Sequence, residues 1–185
     1  MTQQQCRSGG PPPGPPSEKQ KAGGHIDGPF ADAIGAWAAG VTLLTVADGR
    51  DDIGTTVSAF CPVSTQPPLV LVSLIASSYP AEVLGRLDTF ALTLLAAGQR
   101  RLAGRFAAAG RPGARLLLDG VAHHRGPASG ALIADDGLAA LECQVRQRVP
   151  AGDHLLLVAG VLAVPYVAPD GAPLIRFRGA YPALG

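Results

Sequence analysis

No run of basic or acidic residues interrupts this sequence, and its net charge is +1. A nucleic-acid partner needs an electrostatic footprint that is missing here. No apolar run reaches the ~20 residues that a bilayer-crossing helix requires. The N-terminus has no apolar stretch of the kind that marks a secretory signal. The three cysteines, Cys6, Cys61 and Cys143, are odd in number and lack metal-ligand spacing. These absences lead to the expectation of a reduced, cytoplasmic protein without a metal. Gly-x-Ser-x-Gly, His-Glu-x-x-His and Cys-x-x-Cys are all missing, as is Gly-x-Gly-x-x-Gly after a strand. A Rossmann cofactor domain is thereby disfavoured, and no nucleophile–base pair emerges. An enzyme with this inventory takes its chemistry from a cofactor, and the protein supplies orientation.

What is present is enough for one domain: 185 residues, 47% of them hydrophobic. Residues 1–24, with a Gln run and the Pro11–Pro16 cluster, have little to bury, so a disordered tail is expected there. The domain is placed at 25–185. Phe30, Ile34 and Trp37 recur at helical spacing after Pro29, with Asp27 as a candidate cap and Gly40 as the stop. This predicts a short amphipathic helix covering the mouth or edge of a sheet. Strands are predicted over 41–47, 53–60, 69–74, 90–95, 141–146, 154–164 and 174–177, and helices over 80–87 and 99–109. The close spacing of successive strands leaves no room for crossover helices, so the pairing is antiparallel. Residues 110–137, rich in Gly, Pro, Ala and Arg, give no clear pattern; His123 and His124 lie among them without Cys or Asp partners that would make a metal site. The expected class is mostly β: a small antiparallel, Greek-key-like barrel with a few short helices and a groove for a ligand.

Two stretches carry chemistry. From Gly54 to Ser78 the chain is rich in hydroxyls, among them Thr55, Thr56, Ser58, Ser64, Thr65, Ser77 and Ser78, and is interrupted by a Pro-rich turn. Small side chains let a flat ligand approach the backbone, and the hydroxyls and free amides can bond its polar edge; the same residues also suit a plain hairpin with polar faces. Gly152-Asp153-His154 sits at a turn entering a strand. The imidazole there can donate to a ligand or lie against a flat ring, with Asp153 orienting it, or it can merely close the hairpin.

The order of these motifs resembles that of the short-chain flavin reductases, the reductase components of two-component flavin-dependent monooxygenases. The resemblance covers about Phe30 to Leu184. It rests on Ala39-Gly-Val-Thr-Leu-Leu-Thr45, Gly54-Thr-Thr-Val-Ser-Ala-Phe-Cys-Pro-Val-Ser64, Pro67-Pro-Leu-Val-Leu-Val72, Ser77-Ser78 and Phe90-Ala-Leu-Thr-Leu-Leu95. Leu102-Ala-Gly-Arg-Phe-Ala107, Leu141-Glu-Cys143, Gly152-Asp-His154 and Arg178-Gly-Ala-Tyr181 complete it. It implies a flavin-binding split β-barrel, a homodimer, and reduction of FAD or FMN by NADH or NADPH, with the reduced flavin passing to a partner monooxygenase. By the same resemblance Thr55, Thr56, Val57, Ser58, Ala59 and Cys61 cradle the isoalloxazine. Ser77, Ser78, Arg105 and Phe106 belong to the phosphate end of the flavin site. Gly152, Asp153 and His154 meet the nicotinamide, with His154 the catalytic candidate. Thr93 stands where the family often has asparagine. Two other readings of the same barrel are a flavin-binding protein without turnover and a flavoenzyme that keeps its flavin and oxidises or reduces its own substrate.

Overall fold

The computed structural model describes residues 28–49 and 51–183. The tail expected over residues 1–24 lies outside the described residues, as does the candidate cap Asp27. Helix α1 spans Pro29–Gly35 and is followed by the short strand β1, Ala39–Gly40. Then come β2 (Thr42–Val46), β3 (Ile53–Val57), β4 (Phe60–Thr65) and β5 (Pro68–Ile75). Helix α2 (Tyr79–Arg86), β6 (Thr89–Leu94), α3 (Arg100–Ala107) and α4 (Ala114–Leu117) follow. The chain closes with β7 (His123–Arg125), β8 (Leu132–Ala134), β9 (Ala139–Ala151), β10 (His154–Val167) and β11 (Ile175–Arg176). Seven strands make one antiparallel sheet in the order β3-β2-β6-β9-β10-β5-β4.

The burial pattern shows how this sheet is bent. Leu44, Val57, Val72, Leu92, Val145 and Leu157, from six different strands, meet in one buried cluster, and Phe60 of β4 packs against it. Strands that all turn one face to a common core must curl around it. Consistent with this, β3, at one end of the strand order, touches β5, next to the other end. Each fully buried Leu in such a core contributes on the order of 1.5–3 kcal/mol. Successive side chains on a strand point to opposite faces, so Leu43 leaves this core and joins Leu102, Phe106, Leu118 and Leu132 in a second one. Strand β2 is therefore buried on both faces along its whole length.

Three elements differ from the sequence-based expectation. The chain beyond Phe60 continues as β4 instead of turning at once. That strand is at the sheet edge and contains Pro62, next to a register shift between Pro62 and Ser64. An edge position tolerates a residue that cannot donate to a neighbour. The α1 helix ends at Gly35, short of Gly40. Residues 110–137 hold α4, β7 and β8, and their order comes from buried polar anchors that periodicity does not register. Glu142, fully buried, accepts hydrogen bonds on one carboxylate oxygen from the Ala128 and Ser129 amides and the Ser129 hydroxyl at 2.7–2.9 Å. Asp52, also buried, holds Arg115 at 2.5 Å and Arg125 at 2.8 Å, and its backbone carbonyl accepts from the Ala114 amide. Burial opposes ionisation of Asp52, but hydrogen bonds from Arg125 and Arg115 outweigh it and keep the pKa below the usual carboxylate value.

Candidate functional site

The hairpin of β9 and β10 is closed by Gly152 and Asp153, with His154 paired to Ala151. Gly152 takes φ +62, the sign such a two-residue loop needs at its first position. On its other side β10 pairs with β5, placing His154 beside Ile75. The imidazole Nδ1 lies 2.7 Å from Asp153 Oδ1, a separation at which Nδ1–H donates to the carboxylate. That hydrogen bond holds the Asp153 carboxyl below its ordinary pKa. It also fixes the ring and leaves Nε2 for another partner.

His154 borders a cleft of about 950 Å³, within the size range of small-molecule and cofactor sites. One wall is Thr55, Thr56, Val57, Ser58, Ala59 and Cys61, running from β3 into β4, with Ser73 and Ser78. Strand β3 is at the end of the strand order, so one backbone edge has no strand beside it. The Gly54 carbonyl on that edge accepts from Arg111 Nε at 2.9 Å. The alternation along a strand turns the Thr56 amide and carbonyl the same way.

The opposite wall was not legible in the sequence as part of a site. It consists of Ile34 and Trp37 from the α1 region together with Arg176, Arg178 and Gly179 from the C-terminal segment. Trp37 is 76% exposed, and Ile34 and Phe30 are largely exposed too. The wall is tied together by the pairing of Ala39 with Arg176 and by the Arg178 amide donating to the Gly35 carbonyl at 2.8 Å. Arg178 and Gly179 form a tight loop with φ +48 and +75, closed by reciprocal bonds between Phe177 and Ala180. The Arg-Gly pair there is the sequence signal for that loop.

The structure therefore brings Thr55, Thr56, Val57, Ser58, Ala59, Cys61, Ser78 and His154 to one cleft, with Gly152 and Asp153 behind the histidine. Ser77 is exposed in the turn after β5 and is not among the lining residues. Two residues tied to the phosphate end by sequence lie elsewhere. The Arg105 guanidinium donates to the carbonyls of Leu117 and Asp119, both at 3.1 Å. Phe106 is fully buried in the second core. Thr93 is buried in the middle of β6, paired with Leu43 and Ala140. Ser78 caps α2, its hydroxyl accepting from the Ala81 amide.

Residues 34–185 match the flavin reductase like domain. The chain belongs to the flavin reductase family. It is 36% identical to an NADH-dependent FMN reductase of Streptomyces nodosus subsp. asukaensis, over 84% of this chain and 83% of that one. It is 32% identical to the reductase component of the 4-hydroxyphenylacetate 3-monooxygenase of Thermus thermophilus, over 82% of this chain and 93% of that one. Among solved structures, the NADH:FAD oxidoreductase of Streptomyces globisporus in complex with NAD and FAD fragments superposes with a TM-score of 0.78. That match has 29% identity and covers 84% of this chain and 91% of that one. As in these flavin reductases, a mostly β fold with an antiparallel sheet frames the site of the present chain.

Proposed function

We propose that this protein is an NADH-dependent flavin reductase that reduces FAD or FMN and supplies the reduced flavin to a monooxygenase partner. The observation that carries this is the single cleft in which the small, hydroxylated Thr55–Ala59 segment and the Asp153-oriented His154 both take part. The free backbone edge of β3 and the hydroxyls beside it fit a flat ring with alternating donors and acceptors along one side, so the residues present suit a flavin. When bound, that flavin supplies the hydride-accepting chemistry. The protein's part is placement. The Thr55–Ala59 segment and Cys61 hold the ring, and amides on the open edge of β3 favour negative charge where it develops. His154, held by Asp153, offers Nε2 to the carboxamide of the nicotinamide and so sets the approach of NADH, a positioning task that bears directly on rate. An open cleft suits a ligand that must leave after each turnover.

Several finer features belong to the same reading. The curled seven-stranded sheet is a split barrel within a reductase domain of residues 25–185. The protein acts as a homodimer in the cytoplasm. The exposed Phe30, Ile34 and Trp37 near the cleft and Leu162, Val164 and Val167 along β10 support a twofold partner surface. Loss of NADH absorbance on adding FMN or FAD to the purified protein tests the central claim. Tight flavin binding with no NADH consumption would replace the reductase with a flavin-binding protein. A flavin that stays bound through turnover of an organic substrate would replace it with a self-contained flavoenzyme.

A further inference from the structure

The C-terminal wall of the cleft and the start of α3 carry arginines that the chain itself does not use. Arg176 and Arg178 line the cleft. Just beyond Arg178, the ring of Tyr181 lies under the Arg100 guanidinium at 5.9 Å, and Arg101 follows on the same helix. The Ala97 amide donates to the Ala172 carbonyl at 2.8 Å and the Leu174 amide to the Leu95 carbonyl at 2.9 Å, so the two segments run side by side. Arg100, Arg101, Arg176 and Arg178 are all exposed, and none forms an ion pair among the described residues. Arg86, Arg115, Arg125 and Arg148, in contrast, each hold an aspartate. Asp32 on α1 and Asp170 ahead of β11 are exposed but pair with none of these arginines, and the cleft lining contains no carboxylate. Arg100 and Arg101 also occupy the first turn of α3, which holds no acidic residue. The positive end of a helix dipole disfavours cations there. The chain thus keeps a set of like charges at a stability cost that no internal contact offsets.

We propose that this arginine patch docks an acidic protein surface and brings it to the mouth of the cleft. That the acidic surface belongs to the monooxygenase which takes up the reduced flavin rests on the reductase reading above. A patch running from the cleft mouth onto α3 is wider than a single small anion needs. The planar guanidinium fork suits carboxylates and loses less hydration than an ammonium group. A second copy of the chain is a poor occupant, since a twofold contact centred here would set these arginines against themselves. Nucleic acid is a poor one as well, because the chain as a whole carries a net charge of only +1. Complementary charge speeds encounter and weakens with salt. A partner recruited this way meets the flavin where it leaves and departs readily between turnovers.

Poly-L-glutamate serves as the probe, with duplex DNA and phosphatidylserine vesicles as the other anionic surfaces. The full chain should bind poly-L-glutamate at low ionic strength and lose most of that affinity as salt rises to about 0.15 M. Arg100→Glu/Arg101→Glu changes positions outside the cleft lining. It should weaken poly-L-glutamate by about tenfold or more. NADH-dependent flavin reduction and sedimentation of the variant should match the parent. Arg100→Gln/Arg101→Gln should show a smaller loss, and it carries the test if the charge reversal does not fold. Parent-like binding of poly-L-glutamate by both variants would overturn the docking site. So would a variant that melts like the parent but loses its NADH kinetics, because the arginines would then serve the cleft, or one that sediments as a smaller species, because they would then join copies of the chain. Tighter binding of DNA or vesicles than of poly-L-glutamate by the parent would replace the acidic protein with another class of partner. If the parent binds poly-L-glutamate through these arginines yet reduces no flavin with NADH, the docking surface stands and the reductase reading falls.

Discussion

The ring of Phe106 occupies the space that a side chain on Gly54 would need: a Cβ there would sit 2.5 Å from Phe106 Cε1. Helix α3 consequently packs directly on β3, the strand that forms one wall of the cleft. Phe106 thus backs that strand from the second core. Gly54→Ala should displace either the ring or the strand and cost about 1–3 kcal/mol. Flavin affinity should fall with it. Shrinking the ring as well, in Gly54→Ala/Phe106→Leu, should recover part of both losses, because the two sites share one space. Strictly additive losses in chemical denaturation would disprove the contact.

His154 is expected to act on NADH and not on the flavin. His154→Ala should raise the KM for NADH and lower kcat/KM roughly tenfold, about 1.4 kcal/mol of transition-state placement. Asp153→Asn should move the same constants less, since the ring keeps a partner but loses the charge that orients it. Flavin affinity and melting temperature should stay at the parent values. A variant that melts early while its NADH kinetics are unchanged would make His154 a hairpin residue only.

The Asp52 cluster predicts an acid-sensitive anchor. The folded pKa of Asp52 lies below its ordinary value, despite burial, because of Arg125 and Arg115. Its stabilising contribution is therefore complete above the unfolded pKa of about 3.9 and is lost as pH falls through the folded value. Asp52→Asn should cost about 1–3 kcal/mol at pH 7. The gap between parent and variant in urea denaturation should narrow below about pH 4. A gap of constant size across that range would remove the linkage.

Thiol chemistry separates the two cysteines of the described region. Cys61 is exposed and lines the cleft, while Cys143 is fully buried. Burial, with the neighbouring Glu142 charge, pushes the Cys143 thiol up to about 12. Peptide mapping after alkylation of the folded protein should find Cys61 modified and Cys143 spared. Saturating flavin should slow the Cys61 reaction. Labelling of Cys61 at an unchanged rate in the presence of bound flavin would place the flavin ring elsewhere.

The sequence made the strand regions and one wall of the site legible because β propensity and motif order are local signals. Thr55–Ala59 and the Gly152-Asp-His154 turn stood out through the resemblance of the motif order to the family, since composition alone suited a plain hairpin as well. The other wall did not, since nothing local says that Trp37 and Arg178 meet; that depends on the pairing of Ala39 with Arg176, far apart in the chain. Arg105 and Arg111 illustrate the same limit. Both are arginines close to one short helix, and only the tertiary position of the segment after α3 shows that Arg105 donates to the Leu117 and Asp119 carbonyls while Arg111 reaches back to the Gly54 carbonyl on β3. Residues 110–137 resisted reading because buried acceptors, Asp52 and Glu142, organise them, and a single buried carboxylate leaves no periodic trace.

The wall built by α1 and the Arg178 loop also has a consequence for how the protein comes into being. Every strand of the main sheet is complete in the sequence by residue 167, so its pairings do not draw on the segment made afterwards. The residues that pair with Ala39 and bond to Gly35 are synthesised after that. Until they emerge, the Thr55–Ala59 face stands without its opposite side. Chains cut short after residue 167 should therefore keep the strands of the main sheet and yet bind flavin poorly.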